Sequence, residues 1–412
     1  ALIRYRLAIL LISLIFPSTW CRSQDILSGG VRDSKTGVGI PFASILLEQS
    51  KTGVIGDMNG FFSIKLSSKS ESDSLIVSAI GYQTLKKSLD EIRRLGITNF
   101  VLKDTVYQLQ TVLIEDTLKS AVSVIRKAMA NVKSNYHPGP HKLEGLFRIV
   151  DRENGKYARM LEAAIHIYDQ NYMTKNSREV DYLSVRQTKH YRAFKWKMNA
   201  SNVRVAEDLL QPDLIKRPTR ATHENGFSKG FSYAFEDMTH LDGELIYVIT
   251  ARKRPETQWA NYDAVFYVRV RDLAILRVER TYSIERAHWV DSTGMLTRIT
   301  KDKVTLLYRE QEGRLFLNYM LWELKGKAVN GKINRMELDF ERWEELSIHA
   351  VSTKNKPKTI RKAWSKDIYQ MVDPYDENFW RSYPAVNTDL FTSVRKELSK
   401  RESLQQQFKS GD

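Results

Sequence analysis

The chain has 412 residues, and its 64 Lys and Arg against 49 Asp and Glu give a net charge of +15 near neutral pH. This balance favours anionic partners. The alternative is a solvated, repulsive surface, because the basic residues are interspersed with acidic ones. No nucleic-acid-binding motif is present and the chain has an export signal, so we predict no nucleic-acid partner. Cys21 is the only cysteine, which excludes a disulfide framework.

The first residues have the parts of a secretory signal peptide. Two arginines precede an apolar run from Leu7 to Phe16, which is too short to span a bilayer permanently. We predict a signal peptide over residues 1–23 and therefore an exported protein. The alternative is a lipoprotein with an acylated Cys21, although Trp20 stands where that signal requires a small residue. No later run has the length of a membrane helix, so no transmembrane segment is predicted in the mature chain.

Residues 24–115 alternate short β-rich runs with turn residues, and the pattern places no helix between the runs. This spacing predicts an antiparallel β-sandwich. Asn59-Gly60 favours a hairpin, because both residues tolerate positive φ. Asp57 and Asp33 could suggest calcium, but an EF-hand loop needs further carboxylates. We expect Asp57 to brace its turn through the local backbone. The predicted strands are Ile45–Glu48, Phe61–Leu66 and Ser74–Ala79.

This segment resembles the carboxypeptidase-regulatory-like domain of Bacteroidota envelope proteins of uncharacterised function. The resemblance implies a non-catalytic accessory or docking module, located in the periplasm, at the outer membrane or on the cell surface. It implies as partner an outer-membrane or periplasmic protein, or a lipid-like ligand. A closing strand, Leu109–Ile114, fits the same pattern. The matching residues are Gly30, Val31, Asp33, Gly39 to Ala43, Thr52, Gly53, Asp57, Gly60, Phe61, Ser78, Gly81 and Tyr82.

Residues 116–136 form an amphipathic pattern that predicts a linker helix. Leu118, Val122, Ile125, Met129 and Val132 recur at spacings of three and four, which places them on one face. Asp116 is the predicted N-cap of this helix. We expect its apolar face to pack against the larger domain.

Residues 137–350 have the alternation of β-strands, as in the run from Val265 to Val270. They predict a larger curved antiparallel sheet or half-barrel, so the fold class is mainly β. The strand rhythm is similar to that of periplasmic lipoprotein-carrier half-barrels. Residues 351–412 are predicted to be a basic loop and a helical tail, with a terminal helix from Leu390 to Phe408.

His141 and Glu144 spell H-x-x-E, the zinc-binding pair of metallocarboxypeptidases. Such an enzyme also needs a third ligand, for which His240 or His288 could be nominated, and an α/β fold that this pattern does not predict. We therefore predict no metal, no cofactor and no catalytic residue. A hydrolase acting on envelope glycan, or a zinc carboxypeptidase, stays as the alternative. The glycan alternative has carboxylates in the β region, with no spacing that singles out a pair: Glu162, Asp169, Glu236, Asp237 and Glu279.

Aromatic residues are plentiful in the second half of the chain, where they line a ligand groove or fill the core of the sheet. The candidates for that groove are Trp259, Trp289, Trp322 and Trp343. The densest basic run is the candidate contact with an anionic surface; it contains Lys354, Lys356, Lys358, Arg361 and Lys362. The sequence thus predicts a non-catalytic exported envelope protein that binds a protein partner or an amphiphile.

Overall fold

A computed structural model describes most of the chain. The signal segment, the closing strand at 109–114 and the basic run at 354–362 lie outside the described residues. The described residues are 26–66, 72–105, 120–174, 178–191, 210, 213, 215–216, 230–257, 262–283, 288–290, 295–330, 337–353, 368–384 and 389–410.

The N-terminal unit is a β-sandwich of two sheets, with strand orders β4-β1-β7 and β3-β2-β5-β6. All its strand pairs are antiparallel except β1 with β7. A short helix that the sequence pattern did not predict, α1 (Leu89–Leu95), lies between β6 and β7, where Ser88 caps it by accepting from Glu91 N. The strands are β1 (Ile26–Asp33), β2 (Ser44–Leu47), β3 (Gly53–Ile55), β4 (Phe61–Lys65), β5 (Ser74–Ser78), β6 (Leu85–Ser88) and β7 (Asn99–Leu102).

The turn before β4 is held by Asp57, as predicted. Its Oδ1 accepts from Asn59 N at 2.8 Å and from Phe61 N at 2.9 Å. Gly60 has φ of +80°, and a Cβ there would lie 2.4 Å from Val31 O, so only glycine fits. Asp57 therefore has a structural role in the hairpin.

The linker helix is shorter than predicted and consists of α2 (Ala121–Ala130) and α3 (Val132–Asn135). Its N-cap is Ser120, whose side chain accepts from Ser123 N, whereas the predicted cap Asp116 lies outside the described residues. Its buried stripe contains Val124 and Ile125 and packs against the larger domain, as expected.

The larger domain is an open antiparallel sheet of eleven strands. Its order is β10-β9-β8-β18-β17-β16-β14-β13-β12-β11, with β15 paired to β16, and the edge strands β10 and β11 do not close it into a barrel. This confirms the mainly β prediction. The strands are β8 (His141–Glu153), β9 (Lys156–Asp169), β10 (Glu179–Gln187), β11 (Phe231–Leu241), β12 (Glu244–Lys253), β13 (Tyr262–Arg269), β14 (Ile275–Tyr282), β15 (His288–Val290), β16 (Met295–Gln311), β17 (Arg314–Asn330) and β18 (Glu337–Ser352).

Other parts of the chain pack against both faces of this sheet. On one face, called the helix face, α2 and α3 pack together with a 3₁₀ turn at Ile368–Gln370. On the other, called the sandwich face, lie the N-terminal sandwich and three C-terminal helices, α4 (Glu377–Ser382), α5 (Asp389–Ser399) and α6 (Leu404–Ser410). The predicted single helix from Leu390 to Phe408 is therefore two helices.

The sandwich docks on the sheet through direct contacts. The rings of Phe42 and Tyr319 lie 5.6 Å apart, and the Arg277 guanidinium lies 5.2 Å from the Phe42 ring. At the edge of the sheet, Gly81 N donates to His240 O at 2.7 Å. The N-terminal sandwich thus packs directly against the large sheet.

A buried charge cluster on the sandwich face fastens α5 to the sheet. Its centre is Glu162 of β9, which accepts from Arg148 at 3.0 Å, from Arg186 at 2.8 Å and from Arg395 of α5 at 2.9 Å. Burial alone would raise the pKa of Glu162, but the three guanidinium groups outweigh burial and hold that pKa well below its usual range. The carboxylate stays charged and anchors the C-terminal helices.

Candidate functional site

The strand register brings a set of aromatic rings together on the helix face, near one end of the sheet. We call this set the aromatic row: Phe231 and Tyr233 of β11, Tyr262 of β13 and Tyr282 of β14. The ring centroids of Phe231 and Tyr262 lie 5.5 Å apart, and those of Tyr262 and Tyr282 lie 5.7 Å apart. Tyr233 lies 6.3 Å from Phe231. The rings thus form a continuous apolar surface across four strands.

The row exists because the strand between its members carries a small side chain. Ala251 of β12 pairs with Tyr233 on one side and with Ala264 on the other. The methyl groups leave space above β12, so that rings from β11 and β13 can meet. Phe231 and Tyr262 are buried, whereas Tyr233 and Tyr282 keep part of their surface exposed.

Arg280 lies at the end of the row, and its side chain is only 3% exposed. Its Nη2 donates to the Tyr282 hydroxyl at 2.6 Å, and its guanidinium lies 5.0 Å from the Tyr262 ring and 5.2 Å from the Tyr282 ring. Nε is buried and has no described partner for its N–H. No described carboxylate forms an ion pair with this arginine within 4.0 Å.

Asp302 and Trp322 continue the site onto β16 and β17. Trp322 Nε1 donates to Asp302 Oδ1 at 2.8 Å, and both side chains are partly exposed. Burial raises the pKa of Asp302 and outweighs the Trp322 N–H and the charge of Arg280, which act in the opposite direction. The site therefore combines an aromatic surface with one partly desolvated carboxyl and one buried cation.

Next to Trp322 on the same face, a second cluster of charged residues pairs arginine with aspartate. Arg342 Nε donates to Asp151 at 2.7 Å, and Arg342 also donates to the Tyr369 hydroxyl at 3.0 Å. Arg159 lies 3.3 Å from the centre of the Tyr369 ring. The arginine charges of this cluster are compensated by Asp151, so we do not count the cluster among the binding groups of the site.

His141 and Glu144 are not brought together. They lie three residues apart on a regular stretch of β8, so their side chains project from opposite faces. The His141 ring stacks on Tyr172 at 5.5 Å on the helix face, and burial lowers its pKa to about 4, with the Gly139 carbonyl opposing that shift. Glu144 pairs with Lys142 on the opposite face. No group of three potential metal ligands occurs within the described ranges.

The tryptophan candidates also separate. Trp322 pairs in register with Glu344, and Trp343 with Glu323, so Trp322 lies on the helix face and Trp343 on the sandwich face. These two do not line one groove. Trp259 and the side chain of Trp289 lie outside the described residues, as do the basic candidates Lys354, Lys356, Lys358, Arg361 and Lys362.

The carboxylates considered for hydrolysis do not converge. Glu162 is held in the charge cluster, Asp169 is paired with Arg178 at 2.9 Å on the helix face, and Glu279 is paired with Arg277 at 2.5 Å. Glu236 and Asp237 occupy a bulge in the edge strand β11, with exposed side chains.

Sequence reasoning missed Arg280 and the tyrosines beside it. A signal was present in the alternation of β14. Val278, Arg280 and Tyr282 occupy alternate positions and face the same side, so an arginine lies on the face of the strand that carries apolar side chains. A charged residue on the apolar face of a strand is either paired with an opposite charge or functional. Neither the strand register nor the absence of a carboxylate partner could be read from the sequence.

The fold and site define a mainly β protein in which an accessory sandwich is docked on an open antiparallel sheet. Residues 27–114 match the family model of the CarboxypepD_reg-like domain, which confirms the resemblance for the sandwich. No curated protein matches the chain at a significant level. Within the described part of the chain, none of the helices has the length and apolar character needed to cross a membrane.

Solved structures give only weak likenesses. A DUF1329 family protein from Desulfovibrio piger is 10% identical, covering 57% of this chain and 93% of its own, with a TM-score of 0.25. A LolA superfamily protein from Nitrosomonas europaea is 10% identical, with coverages of 58% and 95% and a TM-score of 0.21. An outer membrane lipoprotein-sorting protein domain from Vibrio parahaemolyticus is 10% identical, with coverages of 56% and 91% and a TM-score of 0.24. We infer nothing about the role of this chain from similarities with TM-scores this far below 0.5.

Proposed function

We propose that this chain is a non-catalytic binding protein of the cell envelope, exported by its N-terminal signal, that holds an amphiphile on the helix face of the large sheet. In this proposal the aromatic row receives the apolar part of the ligand. The sandwich serves as the accessory module and packs on the face opposite to the row.

The observation that supports this proposal is the aromatic row itself. Tyr233, Tyr282 and Trp322 are partly exposed on neighbouring parts of one sheet face, although aromatic rings normally contribute most when they are covered. An aromatic surface with a few placed polar groups is the usual lining of a small-molecule site. The row therefore suits a ligand with an apolar chain better than a polar substrate.

A hydrolase is disfavoured by the placement of the described carboxylates and histidines. Glycoside hydrolysis needs two carboxyl groups flanking one bond, and Asp302 is the one partly exposed carboxylate beside the row whose pKa is raised. The neighbouring Glu344 is buried and lies 3.6 Å from Arg342. We therefore assign no catalytic residue.

The test is native mass spectrometry of the full-length mature protein purified from its own envelope without detergent. We expect wild type to retain an amphiphile, and the double variant Tyr233→Ser/Tyr282→Ser to lose it. Tyr191→Ser is the matched control, because Tyr191 packs on the sandwich face, and we expect it to retain the ligand. A bare wild-type protein would contradict the proposal, and zinc bound at unit stoichiometry would favour the peptidase alternative.

A further inference from the structure

Arg280, at the end of the aromatic row, carries a charge that no described carboxylate pairs with. Arginine stays protonated at any physiological pH, and burying its charge is costly unless a partner compensates it. Arg280 is 3% exposed, and its one described hydrogen bond goes to the neutral hydroxyl of Tyr282. Its Nε is buried and has no hydrogen-bond partner among the described residues.

Three other buried arginines on the same face each have a described carboxylate within 4.0 Å. Arg342 has Asp151 at 2.7 Å, Arg178 has Asp169 at 2.9 Å, and Arg159 has Asp151 at 3.7 Å. Each of these three charges is compensated by a carboxylate of the fold. Arg280 departs from this pattern at the point where the row is partly exposed.

The surroundings of Arg280 hold its guanidinium in one orientation. The rings of Tyr262 and Tyr282 lie within 5.2 Å of it, and rings at this distance favour a cation over their faces. The nearest acidic group on the next strand is Asp302, which is engaged by Trp322. A preorganised guanidinium with free donors is suited to carboxylate and phosphate oxygens.

We infer that Arg280, with the Tyr282 hydroxyl, is the binding site for the anionic group of the ligand, a carboxylate or a phosphate, whose apolar chain lies along the aromatic row. This inference rests on the proposed function and adds the charge of the ligand to it. The anionic group completes the coordination of Arg280, and Asp302 sets a limit on affinity because its negative charge faces the same space. Two sources share this chemistry: a fatty acid and a phospholipid-type headgroup.

The experiment is calorimetric titration of the full-length mature protein with three monomeric probes of equal chain length. The probes are dodecanoate, lauroyl lysophosphatidic acid and the neutral monolauroyl glycerol. We expect wild type to bind one or both anionic probes roughly ten- to a hundredfold more tightly than the neutral probe, as a charge-assisted pair predicts. The probe that binds more tightly identifies the source of the anion.

The variant Arg280→Met keeps an unbranched apolar side chain and removes the charge. It should bind all three probes with the affinity of the neutral one, whereas Arg280→Lys should retain part of the preference. Asp302→Asn should tighten the anionic probes severalfold without changing the neutral one. Arg252→Met removes the same charge from an exposed position on β12 that faces the other way, and it should leave the preference intact.

Thermal unfolding without ligand separates this role from a structural one. If Arg280 binds an anion, ligand-free Arg280→Met should be as stable as wild type or more stable, because a buried unpaired charge is gone. A large loss of stability would assign Arg280 to the core and overturn the inference. Equal binding of charged and neutral probes by wild type would also overturn it, with the proposed function intact. If wild type binds no probe, the proposed function fails as well.

Discussion

At the scale of single residues, the structure separates buried charges that are compensated from those that are not. Glu162 and Arg342 are each surrounded by opposite charges, and both serve packing. Arg280 and Arg309 have no such partner among the described residues, and burial lowers the pKa of His349 to about 4, so that this side chain is neutral near pH 7. The sequence alone did not distinguish these groups, because compensation depends on the register between strands that are far apart in the chain.

His349 predicts a loss of stability in mild acid. Burial lowers its pKa to about 4, and the charge of Glu144 only partly opposes this. The unfolded chain takes up the proton near pH 6.5 and the folded chain does not, so stability is complete above that pH and falls as the pH drops toward 4. The loss is about 3 kcal/mol.

The variant His349→Phe should reduce this pH dependence, because phenylalanine keeps a ring against Tyr383 and cannot be protonated. Urea unfolding at pH 7 and pH 4.5 measures the effect. The exposed fraction of His137 is larger, so His137→Phe is the control and should change the slope less. An unchanged slope in His349→Phe would show that His349 is not the group that titrates.

We expect that replacing Arg309 with an uncharged side chain stabilises the protein. Burial alone lowers its pKa to about 10, and both of its terminal nitrogens lack described partners. Its Nη1 lies against Gly53 of the docked sandwich, where an added Cβ would be only 2.4 Å away. Arg309→Met should raise Tm by roughly 2–4 °C, since an unpaired buried charge is removed.

The measurement is thermal unfolding followed by circular dichroism, with Arg126→Met as control. Arg126 is exposed on α2, and methionine has a helix propensity close to that of arginine. We expect no shift for the control. A drop in Tm for Arg309→Met would mean that the guanidinium contributes to docking through a group not described.

At the scale of elements, alternation and turn residues predicted most strands but not their pairing. The strands around Phe61 and Val265 follow directly from alternating side chains and Gly-containing turns. The helix α1 was missed because its seven residues are too few for a periodic signal. The terminal helix was predicted as continuous, because nothing in the apolar spacing indicates its interruption after Ser399.

The spacing of His141 and Glu144 already bears on the zinc hypothesis at the level of the sequence. His141 and Glu144 lie in a segment that reads as a strand, where residues three apart face opposite sides. The zinc hypothesis could have been rejected on that ground. The separation of Trp322 from Trp343 could not, because it depends on the register of β17 with β18.

The attachment of α5 predicts a large effect at Glu162. Glu162→Gln leaves Arg148, Arg186 and Arg395 without their shared carboxylate, so we expect a loss of roughly 3–5 kcal/mol in unfolding free energy. The C-terminal helices should also become sensitive to protease. Glu377→Gln changes a solvent-exposed pair with Arg381 and should cost less than about 1 kcal/mol. Equal effects of the two variants in urea unfolding would contradict this role.

At the scale of the whole molecule, the chain places its accessory parts on one side of the large sheet and the aromatic row on the other. The sandwich and the C-terminal helices cover the sandwich face, while α2 and α3 occupy only part of the helix face. A ligand on the row would therefore be remote from Trp343 and close to Trp322. The two tryptophans report on opposite faces of the same sheet.

The face of the sheet that binds the ligand can be tested directly by tryptophan fluorescence quenching with a bromine-labelled fatty acid. The quenching is measured on wild type, Trp322→Phe and Trp343→Phe. Bromine quenches at short range, so the component that is lost identifies the face that binds. If the ligand binds on the helix face, Trp322→Phe loses much of the saturable quenching and Trp343→Phe retains it. Quenching that disappears in Trp343→Phe and persists in Trp322→Phe would place the ligand on the sandwich face and contradict the account.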